Sequence, residues 1–227
     1  MRPAVVFLAL WITTGAIATS SRSALADPPL YYSGRWQLTQ YWIAQERTFP
    51  DDHRAVVVRN RDGNVLVRSC SRFVADLSME GTGQTWDGRL LNWDQRVRGH
   101  ACFVEVDRNS YPYGAGVAGF ALVPLRSLAV DRRFIPLGHT VEIQELAGIP
   151  LADGSRHDGC FVAVDGGGAI NGHHIDLFVP SEQMFRDLGL AGYLPSSVRR
   201  VVVDSPRCAY ARMYAVTPVP GDPITIP

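Results

Sequence analysis

The chain has 227 residues, with 22 basic and 22 acidic side chains, 46% apolar residues and 19% charged ones. That is long enough for one domain or two small ones around a real core, and the apolar share excludes a disordered or fibrous chain. Every basic residue is an arginine, and the longest basic clusters are pairs such as Arg132-Arg133 and Arg199-Arg200, which excludes the basic run a nucleic-acid binder needs to neutralise phosphates.

Residues 1–26 open on Met1-Arg2-Pro3, run through an apolar stretch over 4–18 and close on Ala24-Leu25-Ala26. A basic start, an apolar run shorter than the ~20 residues that cross a bilayer, and small residues at the end predict a signal peptide cleaved near Ala26. Cleavage removes Arg2 and Arg22 and no acid, so the mature chain is slightly acidic. The cleavage region has no cysteine to carry a lipid. The protein is therefore expected in the periplasm or secreted, without a membrane anchor, and as a monomer.

From residue 35 on, short strands separated by turn signals are expected. The first spans 36–46. A hairpin follows, Ala55-Val56-Val57-Val58 and Val65-Leu66-Val67, joined through Asp62-Gly63, which supplies the positive φ of a tight turn. Further strands are predicted at 73–79, 101–106, 117–123, 139–145, 160–164, 174–179 and 198–204; in Val141-Glu142-Ile143 the apolar residues alternate onto one face. One helix is predicted at 181–188, with Pro180 and a Ser181 cap ahead of it and Gly189 as its stop. Many short strands and one short helix give a mainly β, all-β fold, a small barrel or sandwich. The segment 217–227 holds four prolines and reads as a loose tail.

Cys70, Cys102, Cys160 and Cys208 are an even set in an exported chain and read as disulfides. Three pairings are possible. Cys70 with Cys102 and Cys160 with Cys208 is favoured, because each then closes within one half of the chain. The six histidines make no close ligand spacing with the cysteines, so no zinc site is expected.

The chemistry concentrates in 127–179. Asp131 follows Ala129-Val130 and precedes Ile135-Pro136-Leu137-Gly138; Asp165 opens Gly166-Gly167-Gly168-Ala169-Ile170-Asn171-Gly172; Asp176 sits in Ile175-Asp176-Leu177-Phe178. Glycines in such a turn let the backbone take left-handed angles and let a polymer approach the main chain. A carboxylate ending an apolar strand is partly desolvated, and a second one nearby holds a proton on the pair towards neutral pH. Asp131 and Asp165 also read as ordinary turn aspartates. Asp176 resists that reading, since an aspartate inside an apolar strand is costly to bury without a role. The glycine run lacks the lysine of a phosphate loop and is not read as one.

These motifs, in this order, resemble the three-aspartate (3D) domain family, shared with membrane-bound lytic murein transglycosylase A and stationary-phase survival proteins. The resemblance covers roughly 110–205. Upstream, Leu38-Thr39-Gln40-Tyr41-Trp42 is similar to the family's first strand, and Met79-Glu80-Gly81-Thr82-Gly83 with Asp87-Gly88-Arg89 is similar to an element of its exported members. It implies a six-stranded double-psi β-barrel over 27–216, interrupted by a β-rich insertion at about 50–105. It also implies cleavage of peptidoglycan glycan strands between N-acetylmuramic acid and N-acetylglucosamine, with 1,6-anhydro ends and no cofactor. Carried over, Asp176 is the catalytic acid/base, Asp165 supports it, and Asp131 lines or braces the same groove. Thr39, Tyr41, Gly167, Gly168, Ala169 and Asn171 would meet the glycan. Tyr41 and Trp42 could stack on sugar faces, but read more readily as core aromatics. Asn171 stands where the family often has lysine, which removes a cation beside the carboxylates. A noncatalytic peptidoglycan-binding barrel and a hydrolase on the same fold are the rival readings.

Overall fold

The computed structural model describes residues 28–48 and 55–218. The predicted signal peptide, the start of the expected insertion and most of the proline-rich tail lie outside the described residues.

Twelve strands and two α-helices run along the described chain. They are β1 (Leu30–Tyr41), β2 (Ala44–Gln45), β3 (Ala55–Arg59), β4 (Val65–Cys70), α1 (Ser71–Glu80), β5 (Thr82–Gln84), β6 (Leu90–Val97) and β7 (His100–Val106), then β8 (Ser127–Val130), β9 (Thr140–Glu142), β10 (Cys160–Asp165), β11 (His174–Phe178), α2 (Glu182–Leu190) and β12 (Ser197–Val203). Six strands close a barrel in the order β1-β11-β8-β10-β9-β12. The pairs β1–β11 and β8–β10 are parallel; the other four are antiparallel. The mainly β, six-stranded barrel expected from the sequence is thus present. Closure leaves no free edge in this sheet.

Alternation fills the barrel. Leu38, Leu128, Val141, Phe161, Leu177 and Val201 point inward into one core cluster, with Trp36 at its end. Burying each such side chain contributes about 1.5–3 kcal/mol. The residues between them, Ala129, Val162, Val164 and Phe178, face outward, yet they too are buried, because a second layer covers that side of the wall.

The covering layer comes from the chain between β1 and β8. Strands β2-β5-β6-β7 form a four-stranded sheet and β3-β4 a separate hairpin, with α1 packed between them through Phe73 and Leu77. Leu90 of β6 and Leu122 join the outward-facing barrel residues in a shared cluster.

Three sequence expectations are corrected here. The stretch 73–79 is not a strand but the body of α1: Phe73 and Leu77, four apart, bury one face, the Cys70 sulfur accepts the Phe73 N–H, and Gly81 stops the helix at φ 77°. A single helix was expected and there are two. The stretch 117–123 is not a strand either; Val117–Gly119 is a 3-10 turn with Ala118 at φ 59°.

The cysteines divide between the two layers. Cys160 and Cys208 form a disulfide that ties β10 to the 3-10 segment Pro206–Tyr214. It closes a loop of 48 residues, for which chain entropy predicts about 4 kcal/mol of stabilisation. The other expected bond, Cys70 with Cys102, is absent: both are free thiols. Cys70 ends β4 and caps α1, whereas Cys102 lies in β7, and β4 and β7 belong to different sheets.

Candidate active site

On the outward side of the barrel wall, three neighbouring strands bring the decisive residues together. Asp176 on β11 pairs with Ala129 on β8, and Asp165 on β10 pairs with the same Ala129 from the other side. The two aspartates therefore flank one small residue on one face. Strict alternation would have put Asp165 inward with Phe161 and Ala163. A register shift between Ala163 and Asp165 inserts one extra residue and turns the carboxylate out, which is a common use of a bulge beside a functional site. On the far side of β11, Thr39 of β1 pairs with Asp176.

Each carboxylate has its own donors. Asp165 Oδ1 accepts the N–H of Gly166 at 2.8 Å and of Val117 at 3.2 Å. The Val117 contact depends on Gly116, where a side chain would come within 2.5 Å of the Val164 carbonyl. The covering layer holds that loop in place: buried Asn92 of β6 donates to the Ala115 carbonyl at 2.6 Å and accepts its N–H at 3.0 Å. Asp176 Oδ1 accepts the Thr39 hydroxyl at 2.8 Å, and the same hydroxyl oxygen lies 2.8 Å from His174 Nε2.

Burial pushes both carboxyl groups up to about 6, against these donors, and the charge of Asp176 adds a smaller rise at Asp165. Glu80, at the end of α1, is a third carboxyl in the same field. Burial raises it to about 7, partly offset by the Trp42 N–H that it accepts at 3.0 Å, and Asp176 raises it further.

Asp131 is different. It is buried, with 7% exposure, but its charge is answered: the Arg133 guanidinium grips both oxygens, at 3.0 Å from Nε and 2.6 Å from Nη2, and Gly172 donates at 2.7 Å. These partners hold its carboxyl well below the usual range. Gly172, at φ 67°, ends the glycine loop that begins at Gly166. Asp131 thus ties the loop's end to the barrel.

The other predicted residues fall as follows. Gly167, Gly168 and Ala169 are exposed on the loop, and neither Gly167 nor Gly168 uses a left-handed angle, so the expectation that the glycine run needs positive φ holds only at Gly172. Asn171 donates to the Gly168 carbonyl at 2.8 Å and so closes its own loop. The Tyr41 ring is buried against Phe178 at 5.2 Å, and the half-buried Trp42 stacks on Phe185 at 5.1 Å. Burial, and after it the charge of neighbouring Asp165, raises the pKa of the Tyr41 hydroxyl, which makes no hydrogen bond of normal geometry. Sequence reasoning missed Glu80, Val117 and His174 as site residues. The first two come from the covering layer and its loop. His174 had a signal, sharing its strand face with Asp176 at a spacing of two. Among the described residues no group of three or more His, Cys, Asp or Glu side chains could hold a metal ion.

A closed six-stranded barrel with an acidic pair on its covered outer wall defines a class of fold that the comparisons identify. Residues 126–202, from β8 into β12 and including all three aspartates, match the model of the 3D domain. The crystal structure of Escherichia coli MltA with bound chitohexaose is similar over 76% of this chain and 72% of that one, at 18% identity and a TM-score of 0.51, and it shares the fold. A membrane-bound lytic murein transglycosylase from Agrobacterium tumefaciens aligns over 81% of this chain and 78% of its own, at 12% identity and a TM-score of 0.49. The lytic transglycosylase LtgG of Burkholderia pseudomallei aligns over 78% and 73%, at 19% and 0.38. No curated protein matches the chain in sequence.

Proposed function

We propose that the protein is a peptidoglycan lytic transglycosylase in which Asp176 is the single acid/base. The observation that carries this reading is the outward-facing pair Asp165–Asp176 flanking Ala129, two carboxyls that burial raises to about 6. Two backbone N–H donors favour the ionised form of Asp165, whereas Asp176 has one hydroxyl donor. On this difference in donors the proposal assigns the charge to Asp165 and the proton to Asp176.

Protonated Asp176 delivers its proton to the glycosidic oxygen between N-acetylmuramic acid and N-acetylglucosamine as the C1–O bond breaks. Ionised Asp165 stabilises the positive charge that develops at C1. The Asp176 carboxylate then takes the proton from the C6 hydroxyl of the same muramoyl residue as that oxygen attacks C1. The product is a 1,6-anhydro ring, and the acid is restored without water or an enzyme nucleophile. One carboxyl serves both steps, so the carboxylate spacing of ordinary glycosidases does not apply. Asp131, with Arg133, braces the loop over 166–172 along which the glycan would lie. The disulfide supports an exported protein, and among the described residues no helix is long and apolar enough to cross a membrane.

The test is digestion of purified peptidoglycan sacculi followed by mass analysis of the products. Anhydro-muropeptides, lighter by one water than hydrolysis products, support the reading. Reducing ends would make the protein a hydrolase, and binding without release would make it a noncatalytic module.

A further inference from the structure

The hydrogen bonds around Thr39 do more than hold Asp176 in place. A threonine hydroxyl has one proton and two lone pairs. Among the described residues Thr39 Oγ1 has two partners, Asp176 Oδ1 and His174 Nε2, each at 2.8 Å. All three side chains share the outward face: Thr39 pairs directly with Asp176 across β1 and β11, and His174 is two residues before Asp176 on the same strand. Two polarities are open to this chain. In one, His174 Nε2–H donates to Thr39 and Thr39 donates to Asp176 Oδ1. In the other, Oδ1 carries the acid's proton and donates it to Thr39, which donates to an unprotonated Nε2.

The two differ in what the acid can do. In the second, the transferable proton is turned towards the barrel wall and held by Thr39. In the first, Oδ1 is always an acceptor, so the proton of the neutral carboxyl sits on Oδ2, free to reach a substrate oxygen. With Nε2 protonated, the second polarity would leave the Thr39 hydroxyl proton without an acceptor, at the cost of an unmade bond in a partly buried site. We infer that His174 is a positioning residue that fixes Thr39 as the donor to Asp176, and thereby fixes which oxygen of Asp176 carries the catalytic proton. The inference rests on the acid/base reading of Asp176 above, and it adds a role for a side chain that need not touch the substrate.

The experiment combines a mutant cycle with a spectroscopic arm that needs no turnover. His174→Leu, which removes the donor, is expected to lower kcat about tenfold with KM little changed, and His174→Gln, which keeps an N–H at the end of the side chain, to restore most of it. In a Thr39→Val background His174→Leu should cost nothing further. An equal loss in both backgrounds, or no loss in either, would overturn the inference. Independently, the ¹⁵N shifts of His174 in the wild-type protein should show Nε2 protonated, with a mixture of tautomers in Thr39→Val; an unprotonated Nε2 in the wild type would overturn it even if the variants fail to fold. Wild-type protein that released no anhydro products would instead count against the lytic reading, leaving the spectroscopic result to decide the hydrogen-bond polarity.

Discussion

Asp131 and the pair Asp165–Asp176 are aspartates on one barrel with opposite electrostatics. At the Asp131 corner an arginine side chain and two backbone N–H groups answer the charge, and the carboxyl is held low. On the wall beneath the covering layer burial raises two carboxyls, met by hydrogen-bond donors, to about 6. The difference separates a charge used to hold structure from one kept ready to exchange a proton. Counting aspartates in a motif cannot make that separation; the partners of each one can.

Activity gives the sharpest way to break the contrast. Asp176→Asn should reduce kcat by about 10³-fold, within the range for losing a general acid, as measured by release of anhydro-muropeptides. Asp131→Asn should retain the shape of the pH–rate profile, since it touches neither proton of the pair. Equal losses with equal profiles would erase the distinction.

The pH profile comes next. With one proton on the pair, kcat should fall on the alkaline side as Asp176 loses it and on the acid side as Asp165 gains one, with a maximum near pH 6. Thr39→Val removes a donor to the charged form of Asp176, so the alkaline limb should move up.

Stability should respond with opposite signs. The folded Asp176 binds its proton more tightly than the unfolded one, so its ionisation works against the fold above about pH 6 and not below about pH 4. Asp176→Asn should therefore stabilise the protein at pH 8, by on the order of 2 kcal/mol or a few degrees in Tm, and the gain should vanish at pH 4. Asp131 is the reverse case. Its contribution is present above the unfolded pKa and lost as pH falls through the lower folded value, so Asp131→Asn should lower Tm at pH 8 and converge with wild type in acid. Thermal melts at the two pH values check both signs.

The smallest effect is expected at Glu80. Asp176 raises Glu80, and the interaction is mutual, so Glu80→Gln should lower the alkaline limb of the pH profile by a fraction of a unit. A loss as large as that of Asp176→Asn would make Glu80 a proton carrier in its own right.

How far the sequence revealed these features follows from range. The hairpin around Asp62-Gly63 and the strands at 101–106, 160–164, 174–179 and 198–204 were legible, because alternation and turn residues are local signals and the structure has strands there. Asp176 stood out for the same reason, a carboxylate inside an apolar run. The helix α1 stands where a strand is expected, although Phe73, Leu77 and Gly81 carry a helical spacing and a stop. Asp165's outward turn was not legible: it depends on a bulge that alternation alone would have reversed. Nor were Val117 and Glu80, which reach the pair only because the covering layer folds back onto the barrel. The free state of Cys70 and Cys102 was hidden likewise, since closeness in sequence halves says nothing about which sheets the residues enter.

A titration of the aspartate side-chain carboxyl carbons by ¹³C NMR tests the central claim without any substrate. The account predicts two coupled carboxyls, assigned by Asp165→Asn and Asp176→Asn, titrating near pH 6, while Asp131 stays ionised to well below the ordinary carboxylate range. If Asp165 and Asp176 both titrated like exposed aspartates, near pH 4, the pair would hold no proton to give and the proposed chemistry would be contradicted.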